Sequence, residues 1–459
     1  MIIARLLDPF EMGVFAAALA VVGLLAVVRN LGLGSYVIRA IALTPALMAT
    51  TFTINALLSL LIATMVVGLS VLGGAVLNEP GVRLVLIAIA PVPLLSIFEF
   101  RPATVMERQG RFGGIAVVNM ARAGTGALLA VGMALEGHSY MSLAYGQLAG
   151  AVVGAVGFNL IGWRHASLKV GLENWRDVVR YGMHMLAITG TSTAATRFAE
   201  LAMARLLGLV SLGVYSRAGG VASMVWENVH LIVSRALFVD LAEQHRRGMS
   251  LRETYLRVTS LSTAVLWPAF AGLAVLSGPV ILALYGPRWV EAQVTLSLLA
   301  LSSMTSAAMI AAGAVLVVTG QTGAQARFEA VRSLAGLLMF LGGCMIGLEW
   351  AAAARIVEGL LAYTIYSRLV HRMSGTRGSD FKPIFLGSAG LTGAAVGPAF
   401  VIMAWHGWSP QAPVYALGMA VLAGVMLWTG LLYWMRHPLL SEAMWWVKRL
   451  RDWLLRHAA

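Results

Sequence analysis

Long apolar segments recur along almost the whole chain, and they constrain its fold more than any other feature. A helix needs about 20 apolar residues to cross the hydrocarbon core of a bilayer. The sequence contains thirteen segments of this kind, separated by short polar stretches. They lie near 12–28, 50–77, 82–98, 113–135, 140–162, 178–200, 211–233, 259–284, 295–318, 329–348, 350–370, 384–404 and 412–434. The pattern predicts an all-α, polytopic membrane protein with about thirteen spans.

The composition excludes a soluble globular protein. Of the 459 residues, 59% are hydrophobic and 12% are charged, whereas soluble domains carry about 25% charged residues. The single cysteine, Cys344, lies in an apolar run, so no intramolecular disulfide can form. The sequence has no Cys/His cluster with zinc spacing and no glycine-rich loop that ends in Lys-Ser or Lys-Thr. We therefore expect neither a metal nor a nucleotide cofactor.

The basic residues divide unequally between alternate loops, and this division predicts the orientation. Most of them lie in the stretches 29–43, 99–112, 163–180, 235–257, 327–332 and 368–382 and in the tail 436–459. The loops of the other side hold only Arg5, Arg83, Arg205 and Arg288. The positive-inside rule places the first set, with the C-terminus, in the cytoplasm. The net charge of +13 is then a topology signal, and nucleic acid is not an expected partner.

Two stretches near the start of the chain reappear two hundred residues later. Ala4–Leu7 and Gly13–Phe15 read Ala-Arg-Leu-Leu and Gly-Val-Phe, and 204–207 and 213–215 read Ala-Arg-Leu-Leu and Gly-Val-Tyr. The same gap and nearly the same letters predict an internal duplication.

A second match places the helices of this duplication in register. Arg111-Phe112 opens the fourth predicted span, and Arg327-Phe328 opens the tenth in the same relative place. The first five spans then match the seventh to the eleventh, and the sixth has no partner. This order predicts two parallel six-helix lobes plus a trailing helix pair, a fourteen-span layout whose first helix is missing ahead of Met1. The corresponding domains are an N-terminal lobe at 1–165, a C-terminal lobe at 166–375, two trailing helices at 376–435 and a cytoplasmic tail at 436–459.

The tail has the pattern of an amphipathic helix. Within 441–457, apolar residues that include Trp446 and Trp453 recur at helical spacing, and Lys448 and Arg451 lie mostly on the opposite face. A basic helix with tryptophans is typical of a membrane-surface anchor attracted by anionic lipid. Membrane lipids are therefore an expected partner.

Several motifs resemble those of polysaccharide-export flippases. They are Ala4-Arg5-Leu6-Leu7-Asp8-Pro9, Gly32-Leu33-Gly34, Glu107-Arg108-Gln109-Gly110-Arg111-Phe112, Gly213-Val214-Tyr215-Ser216-Arg217-Ala218 and Tyr285-Gly286-Pro287-Arg288-Trp289. Over roughly residues 1–370 the chain resembles the O-antigen and exopolysaccharide branch of the multidrug/oligosaccharidyl-lipid/polysaccharide exporter superfamily.

The resemblance implies a fold and a function. The fold would be a V-shaped pair of lobes around a central cavity. The function would be flipping of undecaprenyl-diphosphate-linked oligosaccharide units to the outer leaflet of the bacterial inner membrane by alternating access. The product would be O-antigen, as part of lipopolysaccharide, or an exopolysaccharide. Other polysaccharide-assembly proteins would be partners.

Two arginines inside predicted spans lack a carboxylate three or four positions away. They are Arg122, about nine residues into the fourth span, and Arg217 in the seventh. Because an intramembrane arginine costs about 2.5–3.5 kcal/mol on insertion scales, such residues usually serve a function. The planar guanidinium binds phosphate oxygens bidentately. We therefore predict that Arg122 and Arg217 bind the substrate diphosphate, with structural bridges to other helices as the alternative.

Two further pairs have local spacing. Arg197 and Glu200 lie three residues apart, as do Arg355 and Glu358, which brings each pair onto one helix face. A self-neutralising ion pair near a helix end is one interpretation of both. Substrate binding is the other, and Arg197 and Glu200 are included among the predicted substrate-binding residues.

Glu227 and His230 also lie three residues apart, on the seventh span. Histidine titrates near physiological pH, so this pair is the predicted site of proton coupling. A hydrogen bond that packs one helix against another is the alternative.

Two other functions remain open. A cation-coupled multidrug exporter of the same superfamily is one, but such exporters typically hold an aspartate inside a lobe, and all five aspartates lie outside the predicted spans. A polytopic glycan polymerase or glycosyltransferase is the other, but the longest outward loop, near 405–411, is too short for a catalytic face. The sequence therefore favours a transporter over an enzyme.

Overall fold

The computed structural model describes residues 2–29, 31–76, 79–163, 168–186, 190–440 and 442. Every regular element in these residues is helical, which confirms the all-α prediction. The chain divides into two compact units, Met1–Ser216 and Arg217–Ala459. The predicted domain boundaries, which rest on the duplication, stay a prediction.

The first unit contains ten helices within its described residues, followed by the start of an eleventh. They are α1 (Ile2–Leu6), α2 (Pro9–Arg29), α3 (Leu33–Arg39), α4 (Pro45–Val76), α5 (Pro80–Ile89), α6 (Pro91–Arg108), α7 (Phe112–Leu135), α8 (Met141–Ile161), α9 (Trp175–Met185) and α10 (Thr191–Leu206). Helix α11 (Gly208–Arg246) begins in this unit and ends in the second. Glu11 accepts from the backbone of Asp8, and Asp8 from the backbone of Glu11, so α2 starts at a capping box.

The second unit continues with α12 (Arg252–Val275), α13 (Ser277–Tyr285), a 3-10 turn (Pro287–Trp289), α14 (Ala292–Ala307), α15 (Ala312–Val318), α16 (Thr322–Cys344), α17 (Leu348–Ser374), α18 (Gly378–Trp405) and α19 (Val414–Trp434). Its buried core lies among α12, α14, α15 and α17 and includes Phe270, Leu266 and Val315. Arg252 forms a bidentate ion pair with Asp380, Nη2 to Oδ1 at 3.0 Å, which joins the starts of α12 and α18. The predicted amphipathic tail at 441–457 lies outside the described residues, apart from Glu442.

Nine helical stretches among the described residues are long and apolar enough to cross a membrane. They are Pro9–Arg39, Pro45–Val71, Pro80–Arg108, Phe112–Leu135, Met141–Ile161, Arg252–Val275, Ala292–Val318, Gly378–Trp405 and Val414–Trp434. The other four predicted spans, near 178–200, 211–233, 329–348 and 350–370, coincide with α9–α10, α11, α16 and α17. The chain is a multi-pass membrane protein, and its total of thirteen spans stays a prediction.

Three helices continue past the apolar runs into stretches that the sequence analysis assigns to loops. Helix α6 extends to Arg108, so Glu99 and Arg101 are helical. Helix α16 starts at Thr322, which places Arg332 inside it. Helix α11 ends at Arg246, so Asp240 is helical as well. A charged residue does not end a helix when its side chain can reach a partner or the membrane surface.

Close backbone contacts hold α2 against the start of α11. A Cβ atom added at Gly13 would overlap the carbonyl oxygen of Leu209, and one added at Gly213 would overlap that of Pro9. The contact is reciprocal, because 9 and 13 are the residues that the repeat aligns with 209 and 213. Only glycine lets the two backbones approach this closely.

Arg108 closes the C-terminal end of α3. Its Nη1 donates to the carbonyl oxygens of Val37 and Ala40, both at 2.6 Å, and its Nη2 donates to that of Ile41 at 3.3 Å. The guanidinium thus binds the carbonyl oxygens at the end of α3. Its positive charge also interacts favourably with the negative end of the helix dipole.

We expect Arg108→Ala to lower the free energy of unfolding by about 2 kcal/mol, because its charge-assisted hydrogen bonds to the carbonyl oxygens at the end of α3 are lost. Thermal unfolding of the purified protein in detergent measures the change. Arg111→Ala removes an exposed arginine three residues away and is the matched control. Equal melting temperatures for the two variants would contradict the role given to Arg108.

Candidate functional site

Arg122 of α7 forms a bidentate ion pair with Glu99 of α6. The Nη1–Oε2 distance is 3.0 Å and the Nη2–Oε1 distance is 2.9 Å. The Arg122 side chain is 35% exposed and that of Glu99 is 11% exposed. Arg122 therefore has a carboxylate partner on another helix, as the alternative of a structural bridge predicts. Its role in binding the substrate stays a prediction.

Glycines of α8 make room for this pair. A Cβ atom at Gly154 would lie 2.7 Å from Oε1 of Glu99 and 3.0 Å from Cζ of Arg122. One at Gly150 would lie 3.1 Å from the carbonyl oxygen of Arg122. Small residues at this helix contact let α8 lie directly against the charged groups.

A second arginine adds to the charge at this place. Arg29, at the end of α2, donates from Nη1 to Oγ of Ser96 at 2.9 Å, one helical turn before Glu99. Both Arg29 and Arg122 interact electrostatically with the Glu99 carboxylate. We call Arg29, Glu99 and Arg122 the arginine cluster. With two cations and one anion its net charge is +1, which favours a further anion.

Arg197 and Glu200 form the local pair that their spacing predicts. Nη1 of Arg197 lies 2.8 Å from Oε2 of Glu200 on α10. The Arg197 side chain also packs against α2. A Cβ atom added at Gly23 of α2 would lie 2.7 Å from the Arg197 Nε. The pair therefore joins two helices of the first unit, and its role in substrate binding stays a prediction.

In the second unit, Arg217 of α11 has an unsatisfied donor. Its Nε is buried and has no hydrogen-bond partner among the described residues. The guanidinium interacts electrostatically with Tyr285 at the end of α13. A Cβ atom at Gly220, three residues along α11, would meet nothing within 4 Å. Arg217 thus keeps donor capacity beside an open stretch of helix.

Arg355 and Glu358 also pair locally, within a larger network between α16 and α17. The Nη1–Oε2 distance is 2.7 Å. Arg332 contacts Glu358 and also Glu329, where its Nε lies 3.1 Å from Oε2. Tyr366 and Phe340 extend the network: the Tyr366 hydroxyl donates to Glu329 at 3.0 Å, and the Arg355 guanidinium lies 4.5 Å from the Phe340 ring centroid. Its two arginines and two glutamates cancel in charge.

The predicted proton-coupling pair is not tested by the structure. Glu227 is exposed on α11, and the side chain of His230 lies outside the described residues. In the described part of the chain, no group of three or more His, Cys, Asp or Glu residues could hold a metal ion.

Sequence reasoning missed Glu99, Arg29, Glu329 and Arg332 as members of these ion-pair clusters. Glu99 follows the last residue assigned to the third span and stands between Phe98 and Phe100. A carboxylate flanked by two aromatic residues was the signal that could have extended this span by a helical turn. Glu329 and Arg332 lie three residues apart, so their pairing carried the same spacing signal as Arg197 and Glu200. The contact of Arg332 with Glu358 on the next helix carried no such signal.

Comparison with known proteins gives a family and several sequence relatives. A family profile described as polysaccharide biosynthesis protein matches residues 2–294. The lipopolysaccharide biosynthesis protein WzxC of Escherichia coli (strain K12) is 22% identical over 373 residues, which cover 80% of the chain and 75% of WzxC. The succinoglycan biosynthesis transport protein ExoT of Rhizobium meliloti (strain 1021) is 27% identical over 304 residues, 66% of the chain and 61% of ExoT. The chain thus spans about three fifths of ExoT.

A solved structure gives the fold. The lipid II flippase MurJ, in an inward closed conformation, superposes with a TM-score of 0.72 and covers 94% of the chain and 97% of its own. The sequences are 12% identical, so this likeness concerns the fold alone. It agrees with the all-α, multi-pass fold that the sequence predicts.

Proposed function

Because the chain belongs to the polysaccharide biosynthesis protein family, we propose that it is a flippase for lipid-linked oligosaccharides. It would move undecaprenyl-diphosphate-linked sugar units across the bacterial inner membrane for O-antigen or exopolysaccharide synthesis, with its C-terminus in the cytoplasm. The chain itself makes and breaks no bond. Other polysaccharide-assembly proteins would receive the flipped units.

The observation that carries this proposal is the family match over residues 2–294, which covers most of the chain. The names of the two relatives give polysaccharide synthesis and transport as the process. The fold shared with a lipid II flippase supports a lipid-linked substrate.

The intramembrane arginines suit the charged part of such a substrate. In the first unit, a diphosphate could approach the arginine cluster, because Glu99 neutralises only one of its two arginines. In the second unit, the free Nε of Arg217 could donate to a phosphate oxygen. Guanidinium holds phosphate by paired hydrogen bonds that strengthen where water is excluded. We assign Arg197 and Glu200 to the substrate path and Glu227 with His230 to proton coupling on the same proposal.

The test is made in a strain that lacks the gene. Lipid-linked glycans are extracted, and their sidedness is measured with a membrane-impermeant sugar-modifying reagent. We expect completed units to accumulate on the cytoplasmic side, protected from the reagent, and plasmid expression of the chain to make them accessible again.

The other outcomes identify the alternatives. Completed units that are accessible from outside would indicate a polymerase or ligase and contradict the flippase. Truncated units would indicate a glycosyltransferase. Unchanged glycans would leave a drug exporter as the better explanation.

Arg217→Ala is expected to reduce export of the glycan by about tenfold, the effect of losing one charge-assisted hydrogen bond to phosphate. Glycan units accessible at the cell surface, normalised to the amount of membrane-inserted protein, give the measurement. Arg372→Ala, at an exposed arginine of the same unit, is the control and should export normally. Normal export by Arg217→Ala would exclude a role for this residue in binding.

A further inference from the structure

A small cavity in the first unit is lined by none of the residues of the arginine cluster. Its volume is about 180 Å³. Phe52 of α4 and Leu168, ahead of α9, form two of its walls. Helix α6 contributes Phe98 and Arg101, and α8 contributes Asn159. One cationic side chain thus lies within an otherwise largely apolar lining.

Pro102 and Asn159 fix the shape of this cavity. A proline inside a helix leaves the carbonyl oxygen four residues earlier without its usual donor. Asn159 supplies the donor, because its Nδ2 lies 2.9 Å from the carbonyl oxygen of Phe98. The same Nδ2 also donates to the carbonyl oxygen of Ala155 at 2.7 Å. A hydrogen bond between α6 and α8 therefore holds this wall of the cavity.

The chain beside the cavity presents apolar side chains to the outside. Leu168, Val170 and Leu172 are 62%, 75% and 54% exposed. The backbone that carries them is fixed to α4: the amide of Gly171 donates to Oγ1 of Thr53 at 3.0 Å, and Thr50 donates to the carbonyl oxygen of residue 173 at 2.8 Å. Exposed apolar side chains on a fixed backbone indicate contact with lipid.

Basic residues lie next to these exposed apolar side chains. Lys169 is exposed between Leu168 and Val170. Arg176 is exposed at the start of α9 and lies 5.8 Å from the ring centroid of Trp175. Loops 99–112 and 163–180 predict that this side of the unit faces the cytoplasm, where anionic lipids attract basic residues.

We propose that the Arg101 cavity binds the headgroup of an anionic membrane phospholipid, with its acyl chains beside the exposed Leu168 and Val170 side chains. The lipid phosphate would pair with Arg101. The positive charge of Lys169 would attract the net negative charge of the headgroup. Phe98, which is 45% exposed, would contact the chains. This lipid is distinct from the transported substrate and would hold the segment before α9 at the bilayer surface.

A site-specific quenching experiment tests the proposal on the full chain in lipid nanodiscs. Because Cys344 is buried, a bimane maleimide labels Val170→Cys selectively. Brominated phosphatidylglycerol should quench this label at about fivefold lower mole fraction than brominated phosphatidylcholine, since each nearby basic residue contributes a preference of that size. A label at Leu128→Cys, on an exposed position of α7, should show no preference.

Variants of the basic residues connect the preference to the cavity. Arg101→Gln should remove it, and Lys169→Gln, at an exposed position that does not affect folding, should weaken it. Arg111→Gln is the matched control and should keep it. Equal quenching by the two lipids, or a preference that survives both Arg101→Gln and Lys169→Gln, would overturn the proposal. Displacement of the brominated lipid by soluble pyrophosphate would also overturn it, because the cavity would then be a site for free phosphate.

Discussion

Glu99→Ala is expected to lower the free energy of unfolding by about 3–5 kcal/mol, the effect of leaving a charge without its partner in a low-dielectric site. The substitution removes both hydrogen bonds of the Arg122 guanidinium and leaves Arg29 and Arg122 facing each other without an anion. Thermal unfolding in detergent and the yield of membrane-inserted protein measure the loss. Glu107→Ala, at an exposed glutamate of the same helix, should unfold like the wild type.

A paired substitution separates stability from function. Glu99→Leu combined with Arg122→Met replaces the ion pair by apolar side chains of similar size, and such replacements are often neutral or stabilising. The double variant should therefore regain most of the stability that Glu99→Ala loses. If Arg122 binds the substrate diphosphate, the double variant will export no glycan even though it is stable. Normal export by a stable double variant would show that the pair serves only to join α6 and α7.

Gly13→Val is expected to lower the free energy of unfolding by about 3 kcal/mol, since overpacking of this kind forces backbones apart. The new side chain would overlap the carbonyl oxygen of Leu209 on α11, and a backbone atom cannot move aside as a flexible side chain can. Thermal unfolding gives the measurement. Gly220→Val is the matched control, because that position of α11 has open space around it.

The two glycines, Gly13 and Gly213, belong to one reciprocal contact between α2 and α11, so their variants should affect stability together. Gly213→Val should have an effect of similar size, because its side chain would overlap Pro9 on α2. The double variant should lose less than the sum of the two single variants, since both act on one contact and residues in contact are not additive. Additive losses would mean that the two glycines serve separate contacts.

The sequence predicts those parts of this fold that depend on long apolar runs. Nine helical stretches in the described part of the chain meet the length and composition of a membrane span, and all of them coincide with predicted spans. The local pairs Arg197–Glu200 and Arg355–Glu358 were also predictable, because three residues bring two side chains onto one face of a helix.

Partners on different helices could not be predicted in the same way. Glu99 and Arg122 are brought together by the packing of α6, α7 and α8, and only the glycines of α8 hint at a close approach. Arg332 meets Glu358 by the packing of α16 on α17. Glu99 and Arg332, taken alone, each resemble an ordinary charge at the end of a span.

The charge balance of the two clusters of arginine and glutamate determines how each would respond to a membrane voltage. The network of Glu329, Arg332, Arg355 and Glu358 is neutral, so its displacement along the membrane normal does no net electrical work. The arginine cluster carries one positive charge, and moving that charge across the whole membrane potential involves about 2.3 kcal/mol per 100 mV. A bound diphosphate diester, which carries two negative charges, would reverse the sign of this work. On the predicted spans, the membrane potential would therefore act on the first cluster according to its occupancy and do no net work on the second.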